Sequence, residues 1–502
     1  MMNSNNQLKG FQLYLLLIAI ALAAFLTSLD GFIVNVAIPA IAGELGVRED
    51  VGTWIITVFS TASTVCVPIA GYLSRRLNDY RLFMAALIVF MLASLLAGLS
   101  KHFEVLIVWR VFQGMAAGFL TPVSLALIIN NFPQDKRSIA VGFWGFFVMV
   151  GPAMGPMIGG WLSDNHWPWM FFLNVPICFF SLATIGILLK EEKHAPPTTP
   201  IDRFGMFLLF TWVGLTQMAM NRWNIDDWLR SPFIVTLFII AFIALILFII
   251  WELYHPDPFI NLALLKKRNF CLPALTTGLG MGLLFSSFVL DSLWVQEVLG
   301  YTPGWAGLTL SPVGIFPLIF FPLLGRFVGL LDLRIWVIGS FVLFACTFFW
   351  LSNINVYTSF WHLAFPRLVQ GIGFAFFTIP NSLLAVQGAP HDRLTGVISF
   401  FSFVRMLFVG LGVSMAITLW EFRQAFYQTR ITARTNAFNP LFIDLKTPFE
   451  ELTHSIPKSY GLSYETLLNH ASTLALADIY YLYAWIFVAL SIIVLFYKRP
   501  AT

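Results

Sequence analysis

The sequence predicts an all-α polytopic membrane protein, and its composition, apolar runs and charge distribution support this fold class. Of the 502 residues, 58% are hydrophobic and 11% are charged, with a mean hydropathy of +0.81. Ordinary globular domains carry about 25% charged residues. The apolar residues recur in runs of about 20, the length that an α-helix needs to cross roughly 30 Å of hydrocarbon. A soluble protein with a large core is therefore excluded.

Apolar runs separated by charged or Pro/Gly-rich breaks predict fourteen transmembrane helices. The predicted spans lie near residues 13–41, 52–73, 82–99, 104–129, 138–162, 169–189, 204–221, 232–252, 270–293, 304–323, 333–351, 361–386, 395–420 and 478–497. The first run has only Lys9 before it and continues past residue 35, so we interpret it as a retained span and not as a cleaved signal peptide. An even number of spans places both termini on one side.

The Lys and Arg residues predict which side that is, because short cytoplasmic loops carry the positive excess. One face holds seventeen of the 29 basic residues, whereas the short loops of the other face hold four. We therefore expect both termini in the cytoplasm. Residues 421–477 are too polar to span a bilayer, and we predict a long external, periplasmic loop there.

Two short patterns recur at nearly the same spacing and indicate a duplicated half. RVFQGMAAG at residues 110–118 returns as RLVQGIGFA 257 residues later, and GYLSRRLNDYR from Gly71 is echoed by GRFVGLLDLR 254 residues later. Duplicated halves around a midplane site are frequent in transporters. The predicted organisation is a six-helix half at 1–189, a cytoplasmic linker at 190–203, two inserted helices at 204–252 and a second six-helix half at 253–502.

Several kinds of functional site are missing from the sequence. No G-x-x-x-x-G-K-[ST] pattern for ATP occurs, and no His/Cys/Asp cluster has metal-binding spacing. A Ser/His/Asp set in a polar pocket and a basic patch for nucleic acid are also missing. We therefore expect no enzyme, no metal and no cofactor, and the energy for transport has to come from a gradient or a partner.

A carboxylate in the first predicted span is the strongest candidate for chemistry. Asp30 lies near the middle of that span, where a charge costs about 2.5–3.5 kcal/mol on insertion scales. Arg110 lies about two turns inside the fourth span, so the two side chains can meet within the N-terminal half. Either they form a structural ion pair, or Asp30 is a proton carrier whose proton affinity changes with burial and with the nearby guanidinium. All eight histidines lie in loops or at span edges, which leaves carboxylates as candidate carriers.

Three further charged residues fall inside predicted helices of the C-terminal half. Asp291 lies near the outer end of the ninth span, where an ordinary solvated acid and a coupling or substrate-contacting acid are equally expected. Arg367 lies in the twelfth span and Arg405 in the thirteenth. Because intramembrane charges are costly, each is a candidate functional residue.

The fifth predicted helix contains a glycine and proline pattern, GPAMGPMIGG at residues 151–160. Gly151, Gly155 and Gly159 recur every four residues, and a proline follows the first two. Glycines at this spacing let helices approach closely, and prolines remove backbone donors and bend a helix. The pattern predicts either a tight packing seam or a hinge and seal between the two halves.

Four motifs in this order resemble those of a known family. LDGFIVNVAIP at 29–39, RVFQGMAAG, GPAMGPMIGG and WMFFLNVPI at 169–177 are similar to the signature motifs of the major facilitator superfamily, specifically of the fourteen-span drug:proton antiporters. NNFPQDKRSIA at 130–140, LLKKRNF at 264–270 and VQEVLGYTPGWAGL at 295–308 resemble EmrB-type multidrug exporters most closely. The resemblance covers nearly the whole chain.

The resemblance implies a major facilitator fold and proton-driven export across a bacterial inner membrane. It implies a proton-coupling role for Asp30 and a relay or gating role for Arg110. The antiporter motif falls on Gly151, Pro152, Gly155, Pro156, Gly159 and Gly160, and the conformational loop motif falls on Gly71, Arg76 and Arg81. EmrB-type pumps work with a periplasmic adaptor protein and an outer-membrane channel, so the resemblance implies these partners too.

The sequence departs from the family pattern at four positions. The loop after the second helix commonly reads G-x-L-a-D-r-x-G-r, and here Arg75 replaces the acid and Asn78 replaces the second glycine. Phe32 stands where the first helix usually has Thr, and Ser402 stands where the thirteenth usually has Asn. We expect the first two changes to weaken the charge-relay latch of this loop and the other two to alter the polarity of the cavity.

The leading hypothesis is a proton-coupled exporter of small, mostly hydrophobic compounds such as drugs. The alternative within transport is a dedicated exporter of one metabolite, such as a siderophore or a fatty acid. A membrane receptor or a non-transporting scaffold predicts neither a coupling acid nor duplicated halves. The helix-five motif disfavours an uptake symporter.

Overall fold

The structure, a computed structural model, is helical throughout its regular elements. It describes residues 10–34, 37–189, 202–223, 230–255, 258, 260, 262–317, 332–386, 394–434 and 456–497. Within these ranges no β-strand occurs.

The N-terminal half and the inserted pair consist of eleven helices in the described residues. They are α1 Phe11–Ile33, α2 Ile38–Glu44, α3 Glu49–Gly52, α4 Trp54–Leu77, α5 Asp79–Gly98, α6 Phe103–Asn131, α7 Gln134–Asn165, α8 Trp169–Phe172, α9 Asn174–Leu188, α10 Arg203–Arg222 and α11 Pro232–Tyr254. The last two are the predicted inserted helices.

The C-terminal half follows with six α-helices in the described residues. They are α12 Arg268–Glu297, α13 Pro303–Leu310, α14 Leu333–Leu351, α15 Phe360–Val386, α16 Leu394–Arg434 and α17 Ile456–Val494, together with 3-10 turns at Leu262–Lys266 and Ser311–Gly314. Each of the fourteen predicted spans contains helix in its described part. Eleven helices within those ranges are long and apolar enough to cross a membrane, and α7, α10 and α13 are not among them.

The first predicted span, 13–41, is wrong at its end. Helix α1 stops at Ile33, and a separate helix α2 begins at Ile38 with a proline in its first turn. A proline inside a helix has no N–H to donate and its ring clashes with the carbonyl four residues earlier, whereas a proline in the first turn is tolerated. Pro39 therefore lies at a position of α2 where a proline is tolerated.

The predicted external segment 421–477 is helical in its described parts, because α16 continues to Arg434 and α17 begins at Ile456. Its location outside the membrane stays a prediction. Each extension bonds to the neighbouring helix. The indole of Trp420 donates to the Ser472 carbonyl at 3.0 Å, and the Tyr427 hydroxyl donates to Asp478 at 2.7 Å. Hydropathy predicts only where a helix crosses a membrane. It does not detect a polar helix that is stabilised by a neighbouring helix. Residues 435–455 lie outside the described residues.

Three of the contacts between the two halves define what we call the junction. Gly71 of α4 lies against α16, where a Cβ at Gly71 would be 2.6 Å from the Gly396 Cα. Phe32 of α1 contacts Phe285 of α12 with ring centroids 5.9 Å apart. At the third contact, Val150 of α7 faces the Ser311–Gly314 turn. The predicted division into halves stays a prediction, and most of the linker 190–203 lies outside the described residues.

The end of the linker attaches the inserted helices to the N-terminal half. Asp202 is buried; it accepts hydrogen bonds from the Gly205 backbone N–H at 2.8 Å and from the Trp251 indole at 2.9 Å. Its own backbone N–H donates to the Tyr72 hydroxyl of α4 at 3.2 Å. The inserted pair is therefore fixed to α4 next to the loop motif.

Candidate functional site

Asp30 lies in the last turn of α1 and is 1% exposed. The expected position near the middle of the first helix is wrong, because α1 ends three residues later at Ile33. Its partner Arg110 lies about two turns inside α6, which begins at Phe103. The acid is buried toward the end of its helix that is predicted to be periplasmic.

The predicted meeting of Asp30 and Arg110 is present as a buried ion pair in which both side chains are 0% exposed. Asp30 also accepts hydrogen bonds from the Gln113 amide at 3.0 Å and from the Asn174 amide at 3.1 Å. The Gln113 amide bonds the Ser94 hydroxyl at 2.8 Å as well. Four helices, α1, α5, α6 and α9, thus supply the side chains of this network.

Arg110 is held by more than its acid. Its Nε donates to the Ile55 carbonyl at 3.2 Å, and its Nη1 donates to the Gln113 side-chain oxygen at 2.8 Å. The guanidinium carbon lies 4.2 Å from the centroid of the Phe59 ring. Its Nη2 is buried and has no hydrogen-bond partner among the described residues. One donor of this network is therefore unsatisfied in the conformation seen here.

The local sequence explains how α6 supplies this site. Arg110 and Gln113 are three residues apart and so lie on one face of the helix. Gly114 follows, and a Cβ there would be 3.0 Å from the Phe59 Cα of α4. The glycine thus lets α6 approach the α4 backbone closely enough for Arg110 to reach the Ile55 carbonyl.

Asp291 is the centre of an equivalent network, and the solvated-acid interpretation is wrong because the residue is 2% exposed. Arg367 forms a buried ion pair with it, donating through Nη2 and through Nε at 2.9 Å. The Tyr480 hydroxyl of α17 donates to the other carboxylate oxygen. Arg367 also donates to the Gln370 side-chain oxygen at 2.6 Å.

The two networks repeat the same arrangement of helices. In each half the first long helix supplies the acid, and the helix with the R-x-x-Q-G pattern supplies arginine and glutamine. Each network also contains a hydroxyl group. The Gln370 amide donates to the Thr347 hydroxyl at 3.1 Å, and the Gln113 amide donates to the Ser94 hydroxyl. The glycine repeats too, since a Cβ at Gly371 would be 2.5 Å from the Val313 carbonyl oxygen.

The networks differ in how completely they are satisfied. In the C-terminal half all three guanidinium nitrogens of Arg367 donate hydrogen bonds, and a phenolic hydroxyl stands where Asn174 donates in the N-terminal half. Arg110 keeps one unpartnered nitrogen among the described residues. The Asp30 network is therefore the one with bonding capacity left for a different arrangement.

The glycine motif packs against the turn of α1 that carries Asp30. A Cβ at Gly151 would lie 2.7 Å from the Leu29 backbone nitrogen, and one at Gly155 would lie 2.8 Å from the Phe32 Cβ. Gly159 faces the Ile33 carbonyl. The glycines themselves thus form a tight seam inside the N-terminal half, while Val150 of the same helix faces the other half. Pro152 and Gly160 are buried in α7, and nothing is described of the Pro156 side chain.

The conformational loop motif lies where α4 ends. Gly71 touches α16 as described, Arg76 lies over the Tyr72 ring at 4.6 Å, and Arg81 is exposed in the first turn of α5. Asn78 has φ 77° and ψ 145°, a backbone conformation that glycine adopts most readily. The replacement of the family's second glycine by Asn therefore keeps the glycine-like backbone.

Arg405 stands apart from both networks. It lies in α16, is half-buried, and makes no hydrogen bond, ion pair or ring contact with any residue that the structure describes. Metal-binding groups of three or more His, Cys, Asp or Glu are also not found in the described part of the chain.

An apolar cavity of about 240 Å³ lies between the inserted helices and the C-terminal half. Trp212 and Phe248 of the inserted pair line it together with Phe403 and Leu407 of α16. Neither buried acid reaches it. Its lining provides contacts for an apolar group only.

The sequence interpretation missed Gln113, Asn174, Gln370 and Tyr480, all of which are buried in the two networks. A signal for Gln113 and Gln370 was present, since both belong to the repeated R-x-x-Q-G pattern. The repeat also relates Arg367 to Arg110, and an acid on the first helix of the second half was therefore to be expected as its partner. Asn174 and Tyr480 lie on helices whose sequences do not match each other, so the repeat does not identify them.

Comparison with known sequences gives full-length matches. The sequence profile of the Major Facilitator Superfamily matches residues 20–413. The chain is 36% identical to the multidrug export protein EmrB of Haemophilus influenzae over 98% of this chain and 97% of the relative. It is 36% identical to the fatty acid resistance protein FarB of Neisseria gonorrhoeae, again over 98% of this chain and 97% of the relative.

A solved structure gives the same architecture. The crystal structure of the human organic anion transporter MFSD10 superposes with a TM-score of 0.57, covering 96% of this chain and 97% of the other. The two sequences are 15% identical, so this match bears on the fold alone.

Proposed function

Because the chain belongs to the Major Facilitator Superfamily, we propose that it is a proton-coupled antiporter that exports small hydrophobic or amphipathic compounds by alternating access. The superfamily consists of transporters, and relatives at 36% identity are named for multidrug export and for fatty acid resistance. Drugs and other toxic compounds are the proposed substrates, and the proton gradient is the proposed energy source.

The observation that carries the proposal is the fully buried Asp30 with its three donors. An ionised carboxylate accepts these hydrogen bonds more strongly than a protonated one, because protonation turns one of its oxygens into a donor. Protonation removes the charge that balances Arg110, which leaves a buried cation without its counter-ion. Such a state is strongly disfavoured unless the helices rearrange. Proton binding at Asp30 therefore favours a second conformation, as an antiporter requires.

The seam between α1 and α7 supports a route from this acid to the other half. The motif glycines hold α7 against residues 29–33 of α1, and α7 in turn faces the Ser311–Gly314 turn through Val150. A change in the last turn of α1 moves backbone that is in direct contact with α7. This is the proposed connection between proton binding and the opening or closing of the junction.

Everted membrane vesicles with a preformed proton gradient test the proposal. Adding a hydrophobic compound to which the protein confers resistance should dissipate the gradient, and Asp30→Asn should reduce that response to the level of vesicles without the protein. Asp478→Asn is the matched control, because Asp478 is a partly exposed acid outside both networks. An Asp30→Asn protein that still exchanges protons for substrate removes Asp30 from the coupling role.

The location and partners belong to the same proposal. We place the protein in a bacterial inner membrane with both termini in the cytoplasm, acting with a periplasmic adaptor protein and an outer-membrane channel. The excess of basic residues on one face supports the orientation. A C-terminal alkaline phosphatase fusion should be inactive and a C-terminal fluorescent fusion bright, and the reverse result contradicts the orientation.

A second candidate is a dedicated fatty acid exporter. It is supported by the relative named for fatty acid resistance, which matches as completely as the multidrug exporters. Cells that lack the protein should then become sensitive to long-chain fatty acids alone, whereas sensitivity to several unrelated compounds supports the broader function.

A further inference from the structure

We propose that the apolar cavity beside the inserted helices binds one acyl chain of an anionic phospholipid. The phosphate head group of this lipid lies at Lys266, Lys267 and Arg268, which we call the basic cluster. The cavity lies apart from both buried acids and takes a component of the membrane instead of a transported compound. The lipid site is therefore additional to the proposed export function.

The cavity lies in the half of the bilayer that is predicted to face the cytoplasm. Trp212 lines it nine residues from the start of α10, and Cys271 lines it three residues from the start of α12. At 1.5 Å per residue these positions are about 14 Å and about 5 Å from the predicted cytoplasmic ends of their helices. One leaflet contributes about half of the roughly 30 Å of hydrocarbon, so an acyl chain of the cytoplasmic leaflet reaches this depth.

The size and lining of the cavity suit a slender apolar chain. Its volume of about 240 Å³ is below the roughly 300–1,000 Å³ of pockets that hold drug-sized molecules. Apolar and aromatic side chains and one cysteine line it. Phe248 and Phe403 are buried at its inner side, whereas Leu265 and Leu275, both 41% exposed, lie at its opening. A chain can therefore enter sideways from the bilayer.

Contacts between neighbouring elements hold the walls of the cavity in place. The Trp212 indole of α10 stacks on Phe248 of α11 with ring centroids 5.7 Å apart, and it meets Phe403 of α16 edge-on at 5.8 Å. The Ile260 backbone N–H donates to the buried Glu252 carboxylate of α11 at 3.4 Å. Because these contacts exist without a ligand, little ordering has to accompany binding of a chain.

The basic cluster lies at the cytoplasmic mouth of the cavity. It directly follows Leu265 of the lining, and its three residues are exposed. Arg268, Cys271 and Leu275 are spaced by three and four residues, so they share one face of α12. Side chains on a helix tilt toward its N-terminus. Arg268 therefore extends from the cavity-lining face toward the predicted cytoplasmic surface.

The charge of the basic cluster is not balanced within the part of the chain that the structure describes. The side chains of its three residues make no hydrogen bond or ion pair with any described residue. The positive end of the α12 dipole lies at the same place. Basic pockets between helices on the cytoplasmic side suit anionic lipid head groups. A phosphate there complements the mouth while its acyl chain fills the apolar lining.

Protection of Cys271 from alkylation tests the site in the purified full-length protein in detergent micelles. Cys271 is half-buried in the cavity lining, and the exposed Cys346 of α14 is the internal control. Peptide mass spectrometry measures N-ethylmaleimide labelling of both thiols while phosphatidylglycerol or phosphatidylcholine with identical acyl chains is added. We expect phosphatidylglycerol to protect Cys271 at a concentration at least about tenfold lower than phosphatidylcholine, with labelling of Cys346 unchanged.

Substitutions in the basic cluster assign this preference to its charge. Lys266→Gln, Lys267→Gln and Arg268→Gln together should bring the two lipids within about twofold of each other while protection by phosphatidylcholine stays unchanged. The matched control exchanges the same three residues for Arg, Arg and Lys, which keeps every charge and should keep the preference. Lys136→Gln should also keep it, because this exposed lysine lies in the first turn of α7.

Four results overturn the proposal. Equal protection of Cys271 by the two lipids contradicts a charged mouth. Equal protection of Cys271 and Cys346 contradicts a defined cavity, since lipid then coats the whole protein. A preference that survives the triple glutamine substitution excludes the basic cluster. Protection by inorganic phosphate or by glycerophosphoglycerol as effective as that by the lipid makes a free anion the occupant.

The export function can fail independently of the lipid site. Protection of Cys271 requires neither a transported compound nor a proton gradient. Asp30→Asn should therefore keep the preference for phosphatidylglycerol in micelles while losing proton exchange in vesicles.

Discussion

At the scale of single residues, the two buried acids differ in what surrounds them, although their helices correspond. Asp30 receives amide donors from Gln113 and Asn174. Asp291 receives a phenolic donor from Tyr480, and its arginine is bonded through every guanidinium nitrogen. Amide donors bind a neutral carboxylic acid less well than a carboxylate, and the unsatisfied Arg110 Nη2 marks the network that can rearrange. We therefore expect Asp30 to be the acid that exchanges protons and Asp291 to fix the C-terminal half.

Tyr480→Phe tests the stabilising role of the Asp291 network. The substitution removes the donor to a buried carboxylate oxygen, which costs about 1–3 kcal/mol. The apparent melting temperature of the purified protein should fall. Tyr483→Phe is the control, because its hydroxyl bonds only a neutral hydroxyl, that of Ser286 at 2.7 Å, and the melting temperature should fall less. An equal effect of the two substitutions would mean that the charge on Asp291 adds nothing to this bond.

Residue types and positions were predicted better than residue surroundings. The cost of a charge in a bilayer identified Asp30, Arg110, Asp291, Arg367 and Arg405 from the sequence. Whether Asp291 is solvated depends on Tyr480, which lies 189 residues away on a helix whose start was not predicted. Pairing across such distances follows from tertiary packing, and a single sequence contains it only where a repeat exists.

At the scale of helices, backbone contacts decide which glycines matter. The Gly159 position faces the Ile33 backbone, where a Cβ would be 3.1 Å from the carbonyl carbon. Backbone cannot move aside as a flexible side chain can. Close approach of α7 and α1 therefore depends on the absence of a side chain at this position, independently of any role in gating.

Gly159→Ala should separate α7 from α1 and lower the yield of monodisperse protein and its transport activity. Gly339→Ala in α14 is the matched control, because a Cβ there meets nothing within 4 Å. Removing a glycine from a helix interior gains about 0.5–1 kcal/mol when space is available, so the control should melt at the same temperature or higher. Fluorescence-detected size-exclusion chromatography after heating measures the melting temperature of both variants. Equal behaviour of the two variants contradicts the seam.

Asn78 offers a test at the end of α4. Its φ of 77° and ψ of 145° lie in a region that costs non-glycine residues about 1–3 kcal/mol. The Asn78 side chain offsets part of this strain energy, because it accepts a hydrogen bond from the Tyr80 backbone N–H at 3.2 Å. Replacing such a capping residue by glycine costs only a few tenths of a kcal/mol. Asn78→Gly should therefore raise the apparent stability by about 1 kcal/mol, and Asn78→Ala, which keeps the strain and loses the cap, should lower it. A lower melting temperature for Asn78→Gly would contradict the claim that the Asn78 backbone is strained.

The helices were predicted where burial in lipid determines them and not where neighbours determine them. Each of the fourteen apolar runs contains helix in its described part, and eleven described helices are long and apolar enough to cross a membrane. The break after Ile33 and the extensions of α16 and α17 coincide with a proline in the first turn of α2 and with polar contacts between two helices. Hydropathy contains neither kind of information.

At the scale of the whole molecule, the junction between the halves contains side chains that must separate if the halves rock. The Cγ2 methyl of Val150 in α7 lies 4.0 Å from the position of a Cβ at Gly314, and no other atom lies closer to that position. The two positions are therefore neighbours across the junction, and a pair of cysteines placed there can be tested for cross-linking.

Val150→Cys combined with Gly314→Cys should transport under reducing conditions and stop when oxidised, with recovery after dithiothreitol. Each single variant keeps the four native cysteines and serves as control for other thiol effects. If the oxidised double variant is shown to be cross-linked and still transports at the full rate, the halves do not separate at this contact.

The extended helices α16 and α17 have a mechanical consequence. Beyond the predicted spans, α16 continues for about 20 Å and α17 for about 33 Å at 1.5 Å per residue. Arg423 and Tyr427 of one helix bond Asp478 of the other, so the two rods are braced at their base. A rigid rod amplifies a tilt in proportion to its length. A spin label near Gly461 would thus move farther than any residue inside the membrane, and its distance to a label on the N-terminal half would report the tilt of the C-terminal half during each transport cycle.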